Sequence, residues 1–166
     1  MLKTDISRTI VVEEEPPPGA LGRIVAMQSE YYAHNWDFGL PFESKVAAEV
    51  GDFGLALPHP DCRMWVARDA IGIAGTITID GRGCPDARLR WFFVEERARG
   101  GLGRRLLGNA LDFCRERGFA SVWLTTFEGL WSARALYDRA GFEVEHEALD
   151  TTWGVQVREQ VFRRRF

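Results

Sequence analysis

Cysteine is scarce in this chain, and what there is forms no pattern. Only Cys62, Cys84 and Cys114 occur among 166 residues. The count is odd, the spacing wide, and no Cys-x-x-Cys exists, so neither a disulfide framework nor a redox motif is expected and a reducing compartment is. His59-x-x-Cys62 is the one close His/Cys pair and falls short of the four ligands of a structural zinc site, so no metal is expected. Long apolar runs are also missing. Stretches such as Trp91-Phe92-Phe93-Val94 are far below the roughly 18 residues that span a bilayer, so no membrane is expected as a partner. Met1-Leu2-Lys3-Thr4-Asp5 begins no basic-then-apolar leader, which makes the cytoplasm the expected location. Nor is there a surplus of positive charge. The formal net charge is −3 and the pI about 5.7, which argues against nucleic-acid binding by bulk electrostatics, where a pI above about 9 is usual. Apolar residues are plentiful at 46%, with 11 Phe and 6 Trp. That composition excludes a mostly disordered chain and fits one domain with a self-sufficient core.

Three breaker-rich stretches, Glu13–Gly19, Pro58-His59-Pro60 and Asp80–Pro85, are short enough to be loops within that domain. Periodicity fills the intervals. The β-branched segment Ile6 to Val12 predicts a first strand. Leu21, Ile24, Val25, Gln28 and Tyr32 keep helical spacing over about 19 to 33. Phe42, Val46, Val50, Phe53 and Leu57 give a second helix. Residues 63–68, 71–80 and 87–95 then read as three consecutive strands. Leu102, Leu106, Ala110 and Phe113 share a helical face that Gly118 ends, residues 120–126 form a buried strand, and 131–140 a short helix closed by Gly141. Strands over 142–149 and 153–162 complete the order β-α-α-β-β-β-α-β-α-β-β, a mixed α/β fold with a central sheet.

The most informative junction is the end of strand 87–95, followed by Arg97-Ala98-Arg99-Gly100-Gly101-Leu102-Gly103-Arg104-Arg105 and a helix. A helix N-terminus presents unpaired N–H groups and the positive end of the helix dipole, and glycine lets a phosphate approach the backbone closely. Arg97, Arg99, Arg104 and Arg105 add charge. A solvated turn is the plainer alternative, but three glycines in four residues after a strand weigh against it. No Gly-Lys pair makes a Walker loop, and Leu106 stands where a dinucleotide fingerprint requires its third glycine.

Leu89–Glu95 followed by Ala98–Leu107 resembles the acetyl-CoA motif of the GNAT superfamily of acyl-CoA N-acyltransferases, and Ala133–Phe142 resembles its second motif. The likeness is nearest to the acetyltransferase modules fused to MarR-type regulators, with Phe42-Glu43, Val46-Ala47, Asp52-Phe53 and Thr152-Trp153-Gly154 fitting that subgroup and no winged-helix half present. The resemblance implies a single N-acetyltransferase domain over 1–166, with a mixed, mostly antiparallel sheet flanked by helices. It implies acetyl-CoA as acyl donor, the pyrophosphate on the loop Arg99, Gly100, Gly101, Leu102, Gly103 and Arg104, and the pantetheine on the strand edge Phe92, Phe93, Val94. The motif usually reads Arg-Gly-x-Gly-x-Gly. Here Arg99-Gly100 runs directly into Gly101-Leu102-Gly103, one residue shorter, with one amide fewer.

Acyl transfer from a thioester needs a neutral amine, an oxyanion donor and an acid for the departing thiolate. Tyr137 matches the family's thiolate-protonating tyrosine, against the alternative of a core aromatic. Leu130 replaces an asparagine common near the start of that helix. Glu43 is the candidate base, against a solvated or capping carboxylate; His34 and water-mediated deprotonation stay open. Tyr32 and Trp36, with Tyr31 and Phe38, are expected to line an acceptor pocket. The acceptor is expected to be a small-molecule or peptide amine, attacked directly in a ternary complex. The rival is a non-catalytic acyl-CoA-binding regulatory module. A homodimer through the last strands is what the family suggests. Arg163-Arg164-Arg165 is expected to be a solvated tail or partner contact.

Overall fold

The structure is a computed structural model that describes residues 9–166. Its elements are β1 (Val11–Glu13), α1 (Ala20–Trp36), α2 (Leu40–Ala56), β2 (Cys62–Arg68), β3 (Ile73–Asp80), β4 (Asp86–Val94), a 3-10 turn (Glu96–Ala98), α3 (Leu102–Arg117), β5 (Ser121–Phe127), α4 (Trp131–Arg139), β6 (Glu143–Asp150) and β7 (Val157–Arg165). The predicted order is therefore the observed one. The part of the predicted first strand before residue 9 lies outside the described residues, and the observed β1 starts later, at Val11.

One seven-stranded sheet runs β1-β2-β3-β4-β5-β7-β6. Every pair is antiparallel except β4 with β5. Alternation along the strands sorts their side chains onto two faces. One face carries Trp65, Ile77, Leu89, Val122 and Leu124, packed under α3 and α4 through Leu106, Ala110, Phe113 and Tyr137. The other carries Met64, Val66, Trp91 and Phe127, packed under α1 and α2 through Ile24, Phe42, Val50 and Phe53. Burying a Leu, Ile or Phe of this kind contributes about 1.5–3 kcal/mol.

Two expectations are corrected. The last strand begins at Val157, not at 153. Asp150 accepts hydrogen bonds from the Thr152 N–H and hydroxyl, and Gly154 takes φ +89, so the chain turns for longer before pairing. The Arg163-Arg164-Arg165 run is not a tail but the end of β7. Arg163 holds Asp86, Glu145 and Ser121, Arg165 holds Glu145, and Arg164 donates to the Ala140 carbonyl. Alternating strand geometry sends these charges to both sides of the sheet, where each finds a partner.

Candidate active site

The site begins with a defect in β4. Its register with β3 slips between Thr76, opposite Phe93, and Thr78, opposite Arg90, so Ile77 faces both Trp91 and Phe92. The extra residue is a bulge, and Trp91 adopts φ +46 there. Such a conformation costs a bulky residue about 1–3 kcal/mol. It is held by Thr76 Oγ1 donating to the Trp91 carbonyl and Thr78 Oγ1 to the Arg90 carbonyl, each at 2.9 Å, with the Trp91 ring buried 5.4 Å from that of Phe53. Bulges strengthen local twist. Accordingly β4 pairs with β5 only over Asp86–Arg88 against Ser121–Trp123 and then parts from it. The edge from Leu89 to Val94 is left open. Glu95 donates its N–H to the Ala74 carbonyl of β3 at 2.8 Å, and alternation along extended backbone turns the Val94 N–H the other way, into the gap.

At the far end of the gap stands the glycine loop. Gly100 and Gly101 adopt φ +121 and +109, a region closed to residues with a Cβ, and open space surrounds both. Gly101 precedes α3 without any side-chain cap, and no acidic residue sits in the first turn. Arg105 N–H makes the first helical bond, to Gly101 O, which leaves the amides of Leu102, Gly103 and Arg104 aimed out of the helix end. Gly103 is needed for a second reason. A Cβ there would stand 3.1 Å from Leu136 of α4, so glycine lets the two helices close on this side of the gap.

Together these elements border a cleft of about 1120 Å³, lined by the open β4 edge, the loop, α4 and the outer end of α1. Of the residues expected to hold the donor, Phe92, Phe93, Val94, Arg99, Gly100, Gly101, Gly103 and Arg104 all line it. Leu102 does not; it is buried beneath the loop and anchors it. The four flanking arginines divide. Arg99 and Arg104 line the cleft, whereas Arg97 is tied to the buried Asp69 at 2.7 Å and to the Ile73 carbonyl, and Arg105 borders a separate depression beside Ile10. Arg139 joins the cleft instead. Sequence reading passed over it, although Ser132, Ala135 and Arg139 keep the three-to-four spacing of one helical face, all three along the cleft.

Tyr137 lines the cleft and is 5% exposed, its ring against Phe92, Phe142 and Phe162. Burial pushes its phenol above the ordinary tyrosine value. Tyr32 faces the same cleft from α1, and its phenol is raised too, first by burial and then by the nearby Tyr137 and Tyr31. Both phenols therefore stay protonated at neutral pH. Trp36 lies outside the lining. It packs with Tyr32, Phe38 and Phe127, and its ring closes over Gly129 at the Cβ position. Phe38 is likewise core, stacked with Tyr32 and Trp153. The expected aromatic pocket is thus a packed wall from which Tyr31 and Tyr32 reach the cleft. Glu43 is exposed in the first turn of α2, away from the lining, in the position of a carboxylate that complements a helix N-terminus. His34 does line the cleft. Among the described residues no group of three or more His, Cys, Asp or Glu side chains is placed to hold a metal ion, and no helix is long and apolar enough to cross a membrane.

The fold has many solved counterparts. A GNAT-family acetyltransferase from Staphylococcus aureus Mu50 superposes with a TM-score of 0.78 at 17% identity, covering 95% of this chain and 99% of the other. YncA of Salmonella typhimurium, solved with its cofactor acetyl-CoA, superposes with a TM-score of 0.73 at 13% identity over 94% and 93% of the two chains. Human N-acetyltransferase 8 is 32% identical over 95 residues, 54% of this chain and 42% of its own length, so the match spans less than half of that relative. Residues 23–142 match the model of the acetyltransferase (GNAT) family, a span that contains the bulged strand, the glycine loop and Tyr137, and the chain belongs to that family.

Proposed function

We propose that this protein transfers the acetyl group of acetyl-CoA to an amine by direct attack in a ternary complex. The observation that carries the reading is the continuity of one cleft from the uncapped α3 N-terminus, along the unpaired β4 edge, to Tyr137. A pyrophosphate suits the first part, where amides, the helix dipole and Arg99, Arg104 and Arg139 converge. Pantetheine amides suit the second, since an open strand edge offers them the bonds a neighbouring strand would make. That leaves the thioester near Val94 and Tyr137. The amine nitrogen attacks the carbonyl carbon, and the developing oxyanion takes the Val94 N–H. The C–S bond then breaks, and the thiolate takes the Tyr137 proton while the amine's proton passes to water. His34, on the cleft, is better placed than Glu43 to receive that proton.

Likeness to the modules of MarR-type regulators rests on two segments that meet in space. The rings of Phe42 and Trp153 lie 5.2 Å apart, and Gly154 sits against Pro41. A small-molecule or peptide amine as acceptor, action in the cytoplasm and pairing of two copies through the last strands belong to the same reading. The test is incubation with acetyl-CoA and a panel of primary amines, following free CoA and the mass of an added acetyl group. Acetylated amine with stoichiometric CoA is expected. CoA binding without transfer to any amine would instead establish a non-catalytic acyl-CoA-binding module.

A further inference from the structure

Leu124 and Tyr137 border the cleft from the α3/α4 layer, and Tyr31 and Tyr32 border it from α1 across the sheet. An acceptor meeting a thioester fed in from the α3 N-terminus therefore arrives along α1. That helix crosses the mouth of the gap between β4 and β5. Near its start Arg23 holds Glu95, just past the end of β4, at 2.6 Å. Further on, the Tyr31 ring lies 5.5 Å from that of Phe93. At its end the Trp36 ring lies 5.9 Å from that of Phe127 on β5. Gln28 falls between the first two contacts, about 7.5 Å along the helix axis from Arg23 and about 4.5 Å from Tyr31. Those contacts set it beside the stretch from Phe93 to Glu95, with Val94 at the centre.

Gln28 is the polar exception on the inner side of α1. The other buried residues of the helix are Ala20, Ile24 and Met27, and Gln28 is only 8% exposed. Burying a carboxamide is costly unless its donor and acceptor are both used. Among the described residues its side chain has no hydrogen-bond partner. Its oxygen and nitrogen are nevertheless not sealed in, as Ser29 Oγ, Arg88 Nε and Trp153 Nε1 are. Gln28 lines the cleft, and its polar end opens onto it. Of the charged groups along the same part of the cleft, Glu95 is held by Arg23 and Arg90 by Glu49, while Glu30 and His34 are exposed.

We propose that the Gln28 carboxamide oxygen accepts an N–H of the attacking amine and so holds its lone pair toward the thioester carbonyl. The proposal rests on the acetyl-transfer reading and adds a catalytic residue to it. An uncharged acceptor suits this role. A carboxylate would hold the amine as ammonium, which has no lone pair to give, whereas a carboxamide binds the neutral amine that attacks. As the N–C bond forms, the nitrogen gains positive charge and its N–H bond to Gln28 strengthens. The C–S bond breaks, the thiolate takes the Tyr137 proton and one nitrogen proton leaves to water. Gln28 itself neither takes nor gives a proton.

Two variants test it with acetyl-CoA and n-butylamine, benzylamine or glycinamide: Gln28→Met, close in length without the oxygen, and Gln28→Glu, which keeps one. Gln28→Met is expected to lower kcat/KM for the amine by about ten- to a hundred-fold, the strength of a hydrogen bond to a charged group. Its calorimetric affinity for acetyl-CoA should be little changed. Gln28→Glu should recover much of the loss. Its activity should also begin to rise at lower pH than in wild type, because its carboxylate binds the ammonium and takes the proton. A packing role would produce neither the recovery nor the shift. Undiminished transfer by Gln28→Met overturns the proposal alone. So does a Gln28→Glu enzyme as slow as Gln28→Met over an unshifted pH limb, or loss of acetyl-CoA binding by a Gln28→Met protein of wild-type Tm. Failure of wild type to acetylate any of these amines while binding acetyl-CoA overturns the transfer reading, and the proposal falls with it.

Discussion

Tyr137 is enclosed by Phe92, Phe142 and Phe162 and lines the cleft. Replacing it by Phe keeps the packing and removes the proton. The expected effect is a fall in kcat of about a hundred-fold or more, the scale of general-acid catalysis, with KM for acetyl-CoA little changed in steady-state kinetics. Its titration has a sign that can be checked. Burial raises the phenols of Tyr32 and Tyr137 in the folded chain. Their contribution to stability is therefore complete below the ordinary phenol pKa near 10 and is lost as pH rises above it, because only the unfolded chain ionises them there. Ultraviolet titration should show these two of the 3 tyrosines ionising together with unfolding. Tyr137 was legible as a residue because the motif around it fixes its place on a helix.

At the scale of elements the site is a bulge, a loop and a helix end. Thr76 Oγ1 donates to the carbonyl of the left-handed Trp91 in a fully buried setting. Thr76→Val keeps the shape and orphans that carbonyl, which should cost about 1–3 kcal/mol in urea unfolding and also weaken acetyl-CoA binding, since the bulge opens the β4 edge. Gly101→Ala places a Cβ at φ +109. A strain of order 1–3 kcal/mol and a weaker complex with acetyl-CoA are expected by calorimetry, although nothing would touch the new methyl in the free protein. The loop and α3 were readable from three glycines opening an amphipathic helix. The bulge was not, because alternation breaks at a single residue inside the apolar run Trp91-Phe92-Phe93-Val94. Nor was the fate of the four loop arginines, which turns on the buried Asp69 capturing Arg97 from a distant turn.

As a whole, the molecule is one sheet between two apolar layers. Cys62 and Cys114 lie within those layers while Cys84 is exposed, and burial pushes the Cys114 thiol up to about 12. A thiol reagent should accordingly label one cysteine rapidly in the native protein and the other two only on unfolding, with no change in Tm under reducing conditions. Element order followed from periodicity and turn residues, whereas the limits of the first and last strands did not. The aromatic wall did not, because Tyr32, Trp36 and Phe38 look alike as pocket and as core until Phe42, Phe127 and Trp153 are seen to fill the space between them. What unites the scales is the proposal that this cleft takes an acyl-CoA, and calorimetric titration with acetyl-CoA, with ATP and NAD as controls, tests it most directly. Saturable binding of acetyl-CoA alone, at one site and weakened by Gly101→Ala, is the expected result. Equal affinity for ATP or NAD, or no heat with acetyl-CoA, would contradict it.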